Sequence, residues 1–104
     1  MKRSRGVRTV YEELSFPDAA EMAVKARLAM KVAEALLVRG WTQQESARVL
    51  GMSQPKLSKM LRGEFRGVSE MKMMDCLVRL WHGVKIVVGP AGKRAAKGVE
   101  VVAA

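Results

Sequence analysis

A chain of 104 residues, 49% hydrophobic but only 5% aromatic, supports one domain with an aliphatic core of Ala, Val, Leu and Met, a composition that favours helices. Nineteen Lys and Arg against ten Asp and Glu leave a net charge of +9, which points to a polyanionic partner, either nucleic acid or an acidic membrane surface. No apolar run is long enough to span a membrane, no apolar stretch follows the basic N-terminus as in a signal peptide, and a single cysteine excludes an internal disulfide and fits a reducing cytoplasm.

Residues 1–16 read as a basic arm with a short extended piece at Val7–Tyr11. Its Lys2-Arg3-Ser4-Arg5 run suits either a minor-groove arm or a segment without fixed structure. The first helix is expected to start after Pro17, with Asp18 as N-cap and Glu21 completing a capping box. Met22, Ala26, Ala29, Ala33 and Leu36 recur at steps of three and four and form one apolar stripe running toward Arg39. Gly40 is the expected left-handed stop.

A second capping box, Thr42 with Glu45, opens a short helix over residues 43–50 that ends at Gly51. Ser53 then caps a further helix, with Gln54 and Pro55 in its first turn, where the N–H that proline lacks has no helical partner to lose. That helix ends near Arg62-Gly63. Ser69 caps a last helix predicted to reach about His82. This helix is apolar on two sides, with Met71, Met74, Val78 and Trp81 on one and Met73, Leu77 and Leu80 on the other. Val84–Val88, bounded by Gly83 and Gly89-Pro90, reads as a short strand that pairs either with residues 7–11 or with its copy in a second chain. Residues 91–104, with Lys93, Arg94 and Lys97 among Ala and Gly, read as a mobile basic tail.

The functional unit is Gln43 to Arg62. Two short helices joined by a tight turn containing glycine make a helix-turn-helix. Ala47 is small enough for the helices to approach, Gly51 accepts a positive φ, and Leu57, Met60 and Leu61 anchor the second helix opposite Val49 and Leu50. The outer face of the second helix then carries Gln54, Lys56, Ser58 and Lys59, with Arg62 at its end. Amides suit base edges and cations suit phosphates, so this face fits a DNA major groove. Charge supports that reading, because residues 41–63 carry a net +3 while residues 64–83 sum to zero. Taken singly, Lys56 or Lys59 would be an ordinary solubilising charge; their shared face makes the case.

The run Trp41 to Gly63 (WTQQESARVLGMSQPKLSKMLRG) resembles the XRE-type, Cro-like helix-turn-helix family. Val10–Leu14, Ser53–Ser58 and Gly83–Val88 are similar to its HigA-type antitoxin branch, and the resemblance extends over residues 10–90. It implies an all-α, lambda-repressor-like domain over residues 17–90, with four main helices and a C-terminal strand expected to pair in a dimer. It also implies that Gln43 contacts a phosphate and braces Gln54, while Gln54, Lys56 and Lys59 reach base edges or neighbouring phosphates. Pro55 departs from relatives that carry a second polar base reader there, so specificity rests on fewer side chains.

The expected function is operator binding by a cytoplasmic homodimer on palindromic double-stranded DNA, with repression of transcription. An antitoxin autoregulating a toxin–antitoxin operon is the role the resemblance implies. The alternatives are a stand-alone or prophage-type regulator and a toxin-holding module without a DNA role. No cofactor or metal is expected. His82 has no Cys or carboxylate cluster around it, Met71, Met73 and Met74 at helical spacing read as core, and Cys76 reads as a small core residue. Catalysis is not expected either: no Ser/His/Asp or Cys/His set converges, and Gly63 and Gly67 are not followed by the residues of a phosphate-binding loop.

Overall fold

The computed structural model describes residues 18–91 and 98–103. The basic arm therefore lies outside the described residues, as do positions 92–97 and 104 of the tail. Four helices follow one another: α1 (Ala19–Leu37), α2 (Gln43–Leu50), α3 (Gln54–Leu61) and α4 (Glu70–Arg79). The longest, α1, lies along α4, and α2 and α3 pack on each other against this pair. None of them is long and apolar enough to cross a membrane.

Local chemistry accounts for three of the four starts. Glu45 N–H donates to Thr42 Oγ1 at 3.1 Å and Thr42 N–H donates back to Glu45 Oε1 at 2.9 Å, which closes the capping box of α2. Ser53 Oγ accepts from Lys56 N–H at 3.2 Å and Ser69 Oγ from Lys72 N–H at 3.0 Å. Each such cap is worth about 1 kcal/mol. The α1 start differs from expectation. Asp18 makes no side-chain cap, and its carboxylate instead pairs with Arg66, 48 positions along the chain. A charged partner at that position outbids a single backbone N–H for the carboxylate.

The buried side of α1 is also rotated from the predicted stripe. Met22, Ala23, Lys25, Leu28, Ala29, Val32 and Ala35 are buried, whereas Ala26, Ala33 and Leu36 are half-buried. Alanines on both tracks leave the periodicity degenerate, and the larger Leu28 and Val32 decide the face because they remove more apolar surface from water. The core is completed by Ala47 and Leu50 of α2, Leu57 and Met60 of α3, Phe65 and Val68 of the following loop, and Met73, Cys76, Leu77 and Leu80 at the end of the domain.

The last helix stops at Arg79, short of the expected His82. Trp81 N–H donates to Val78 O at 3.0 Å and His82 N–H to Leu77 O at 2.9 Å, the two bonds of a Schellman stop. Trp81 holds the left-handed position (φ 69°) that glycine usually fills. The residue is 88% exposed. Of the methionine cluster, Met73 is buried and Met74 half-buried, but Met71 is exposed, so only part of it is core.

The C-terminal strand is not formed. Val84–Val88 are exposed, and among the described residues there is no strand for them to pair with. Alternating apolar residues do not suffice, because a lone strand leaves its backbone N–H and C=O groups without partners. Further along, Val101 is half-buried and packs against the core, so that part of the expected tail touches the domain.

Candidate nucleic-acid interface

The turn between α2 and α3 is built as the sequence predicts. Gly51 adopts φ 67°, ψ 38°, and its N–H and that of Met52 bond back to the end of α2. Ala47 is buried where α2 and α3 pack together, and Leu57 and Met60 seat α3 on the core at 0% and 1% exposure. Fully burying one such side chain contributes about 1.5–3 kcal/mol. The inner side of α3 is therefore committed to the core, and its outer side is what the domain displays.

That outer side carries the predicted residues. Gln54, Lys56, Lys59 and Arg62 are exposed and Ser58 is half-buried. Gln43 is exposed at the first position of α2, near the start of the same unit. Among the described residues no hydrogen bond joins Gln43 to Gln54, so the brace that the resemblance implies is not made in this structure. Arg62 Nη1 donates to Ser58 Oγ at 2.7 Å, and its Nε lies 3.7 Å from the Glu64 carboxylate. Pro55 is exposed in the first turn of α3.

An open cleft of about 630 Å³ runs beside α3. Ser53, Pro55, Lys56 and Lys59 line one wall, and Glu64, Arg66, Gly67 and Val68 of the α3–α4 loop line the other. Lys56, Lys59 and Arg66 against Glu64 make the cleft cationic. It suits a phosphate chain better than an apolar ligand.

The helix-turn-helix is held from behind by groups that sequence reasoning missed. Lys72 Nζ donates to Leu50 O at 2.6 Å and Arg79 Nη1 donates to Val49 O at 3.1 Å. Two cations thus meet the carbonyls at the end of α2, where the helix dipole favours positive charge. Asp75 lies between them, accepting from Arg79 Nε at 2.8 Å and standing 3.4 Å from Lys72 Nζ. The hydrogen bond from Arg79 holds its carboxyl below the ordinary carboxylate range, helped by Lys72. Next to it, burial pushes the Cys76 thiol up, and its sulfur lies 3.8 Å from that of Met52.

Arg39 performs a similar task at the other end. Its guanidinium sits 5.2 Å from the centroid of the Trp41 ring and donates to Leu80 O at 2.6 Å, which ties the α1–α2 turn to the end of α4. Lys25 was missed for a different reason. It is 4% exposed, with Nζ donating to the Arg66 carbonyl at 2.9 Å and 3.4 Å from Glu21. The available signal was its position three residues after Met22 and four before Ala29, on the buried track with an acid one turn upstream.

Comparison with known proteins agrees with this geometry. A family model described as a helix-turn-helix domain matches residues 10–89. A solved structure described as an XRE family transcriptional regulator superimposes with a TM-score of 0.76 at 35% sequence identity, covering 85% of this chain and all of its own. A search of curated protein sequences finds no relative.

Proposed function

Since the chain belongs to the helix-turn-helix family of XRE-type regulators, we propose that it binds duplex DNA with α3 in the major groove and regulates transcription. The observation that carries this reading is the division of α3 into two sides. Leu57 and Met60 are sealed in the core, while Gln54, Lys56, Lys59 and Arg62 project together into solvent. Lys56, Lys59, Arg62 and the Gln43 amide fix the domain on phosphates, and Ser58 assists by holding the Arg62 guanidinium. Gln54, in the first turn, pairs its amide with the N6 and N7 edge of an adenine.

The reading extends to a homodimer. Met71 and Val78 on the outer side of α4 and Trp81 just past its end are exposed at 68%, 56% and 88%, and the exposed apolar residues Ile86–Val88 follow shortly after. A second copy seated there would remove this surface from water and place two recognition helices about one DNA turn, roughly 34 Å, apart on a palindrome. Such a dimer represses by occluding its operator. Within that role we assign the chain as the autoregulating antitoxin of a toxin–antitoxin pair, on the motifs at Val10–Leu14, Ser53–Ser58 and Gly83–Val88. A neighbouring reading frame for a small basic RNase-like protein supports the antitoxin; its absence favours a stand-alone regulator.

The decisive experiment is DNA titration at several salt concentrations. Each phosphate neutralised changes log K by about 0.9 per log unit of salt, so affinity falls steeply as salt rises. Lys56→Ala weakens binding to all sequences alike and flattens the slope. A slope near zero for the unaltered chain rejects DNA binding and leaves a toxin-holding module as the alternative.

A further inference from the structure

Arg66 lies on the α3–α4 loop, outside the recognition helix, yet it lines the same cleft as Lys56 and Lys59. Its backbone and side chain are held in different ways. The backbone carbonyl accepts from the buried Nζ of Lys25 at 2.9 Å, and Lys25 is balanced by Glu21, so the loop is fixed from inside the domain. The side chain is 55% exposed, and its guanidinium pairs with the Asp18 carboxylate at the start of α1. Asp18 does not cap its helix, so this ion pair is the role the structure gives its carboxylate.

An exposed ion pair of this kind is worth no more than about five-fold in an equilibrium constant. A guanidinium is suited to bidentate contact with phosphate, and duplex DNA presents phosphates at far higher local charge density than one carboxylate does. With α3 in the groove, a backbone phosphate running along the cleft therefore competes well for Arg66. We propose, resting on the DNA-binding reading above, that Asp18 is an internal stand-in for a DNA phosphate. Arg66 exchanges Asp18 for the DNA backbone on docking, Lys25 keeps the loop in place for the exchange, and the Asp18 carboxylate lowers affinity for DNA of any sequence.

The test is a double-mutant cycle on Asp18→Asn and Arg66→Gln, read by fluorescence anisotropy with a short random-sequence duplex over a range of salt. Thermal midpoints of the variants establish that each is folded. Arg66→Gln weakens binding and lowers the salt slope by up to about 0.9. Asp18→Asn tightens binding about two- to five-fold in the parent and leaves it unchanged when Arg66 is already Gln. If Asp18→Asn has no effect in the parent, or the same effect in both backgrounds, Asp18 acts through net charge or not at all and the exchange is overturned. An unaltered chain without salt-dependent binding overturns the DNA reading and this inference together. Normal binding by the unaltered chain with a flat cycle overturns this inference alone.

Discussion

Gly51 and Arg79 are matched to one another. A Cβ added at Gly51 would lie 3.1 Å from Arg79 Nη1, the same nitrogen that donates to Val49 O at 3.1 Å. The absence of a side chain at the turn thus serves the left-handed backbone and also admits the guanidinium that satisfies the end of α2.

Gly51→Ala is therefore expected to cost stability twice. The left-handed conformation alone costs a non-glycine residue roughly 1–2 kcal/mol. Crowding of Arg79 adds to this, and Arg79→Ala should relieve the added part. Urea unfolding of the two single variants and the double variant checks it, with a double-variant loss smaller than the sum of the singles. Additive losses would mean that Arg79 simply moves aside.

The Asp75 bridge makes the same region sensitive to acid. Its folded carboxyl titrates below the ordinary value because of Arg79 and Lys72. A depressed folded pKa contributes stability that is fully present above the unfolded pKa of about 4 and is lost as pH falls through the folded value. Asp75→Asn removes that contribution at neutral pH and flattens the acid limb of the stability profile. Chemical denaturation of both proteins from neutral pH to below about pH 3 measures the difference. Parallel profiles would show that the bridge carries no linkage.

On the recognition helix, Gln54→Ala is expected to cost about 1–3 kcal/mol on an operator obtained by binding-site selection and little on random duplex. The comparison of the two probes matters more than either value. Equal losses on both would make Gln54 a phosphate contact, and base reading would pass to Lys56 or Lys59.

For the proposed dimer, Val78→Lys puts a charge into the outer stripe of α4 without touching the buried side. Helical circular dichroism stays unchanged, and sedimentation shows a shift toward monomer together with weaker binding to a full palindrome. Loss of the second half-site removes a linked-binding advantage that reaches about 10²–10⁴-fold. A variant that sediments as the parent does would move the interface away from this face.

Much of the helix-turn-helix was legible because its determinants are local. The capping box of Thr42 and Glu45, the caps at Ser53 and Ser69 and the positive φ at Gly51 are all set within a few residues. The same logic exposes Gln54, Lys56, Lys59 and Arg62 once Leu57 and Met60 are assigned to the core. What escaped is set at a distance. Asp18 has the right residue type for a cap, but its carboxylate goes to Arg66. Lys72 and Arg79 look like ordinary charges of an exposed helix until α4 is laid behind α2. The predicted α1 stripe holds at Met22 and Ala29 but is one position off at Ala26, Ala33 and Leu36, because alanines fit either face, and a buried Lys25 breaks the rule that charge marks the outside. Val84–Val88 has the alternation of a strand, but among the described residues no strand lies beside it to pair with. The last helix is expected to reach about His82 but stops at Arg79, because Trp81 takes the left-handed position that its residue type does not announce.

The placement of Trp81 gives the molecule two optical reporters in different surroundings. Trp81 is 88% in solvent beside the outer stripe of α4, whereas Trp41 is half-buried under the Arg39 guanidinium beside the start of α2. Emission from the first is that of a hydrated indole and shifts to shorter wavelength when anything covers that end of the domain. Emission from the second follows the turn that sets α2. With Trp41→Phe or Trp81→Phe isolating each signal, self-association and rearrangement of the helix-turn-helix can be followed separately in one unlabelled protein.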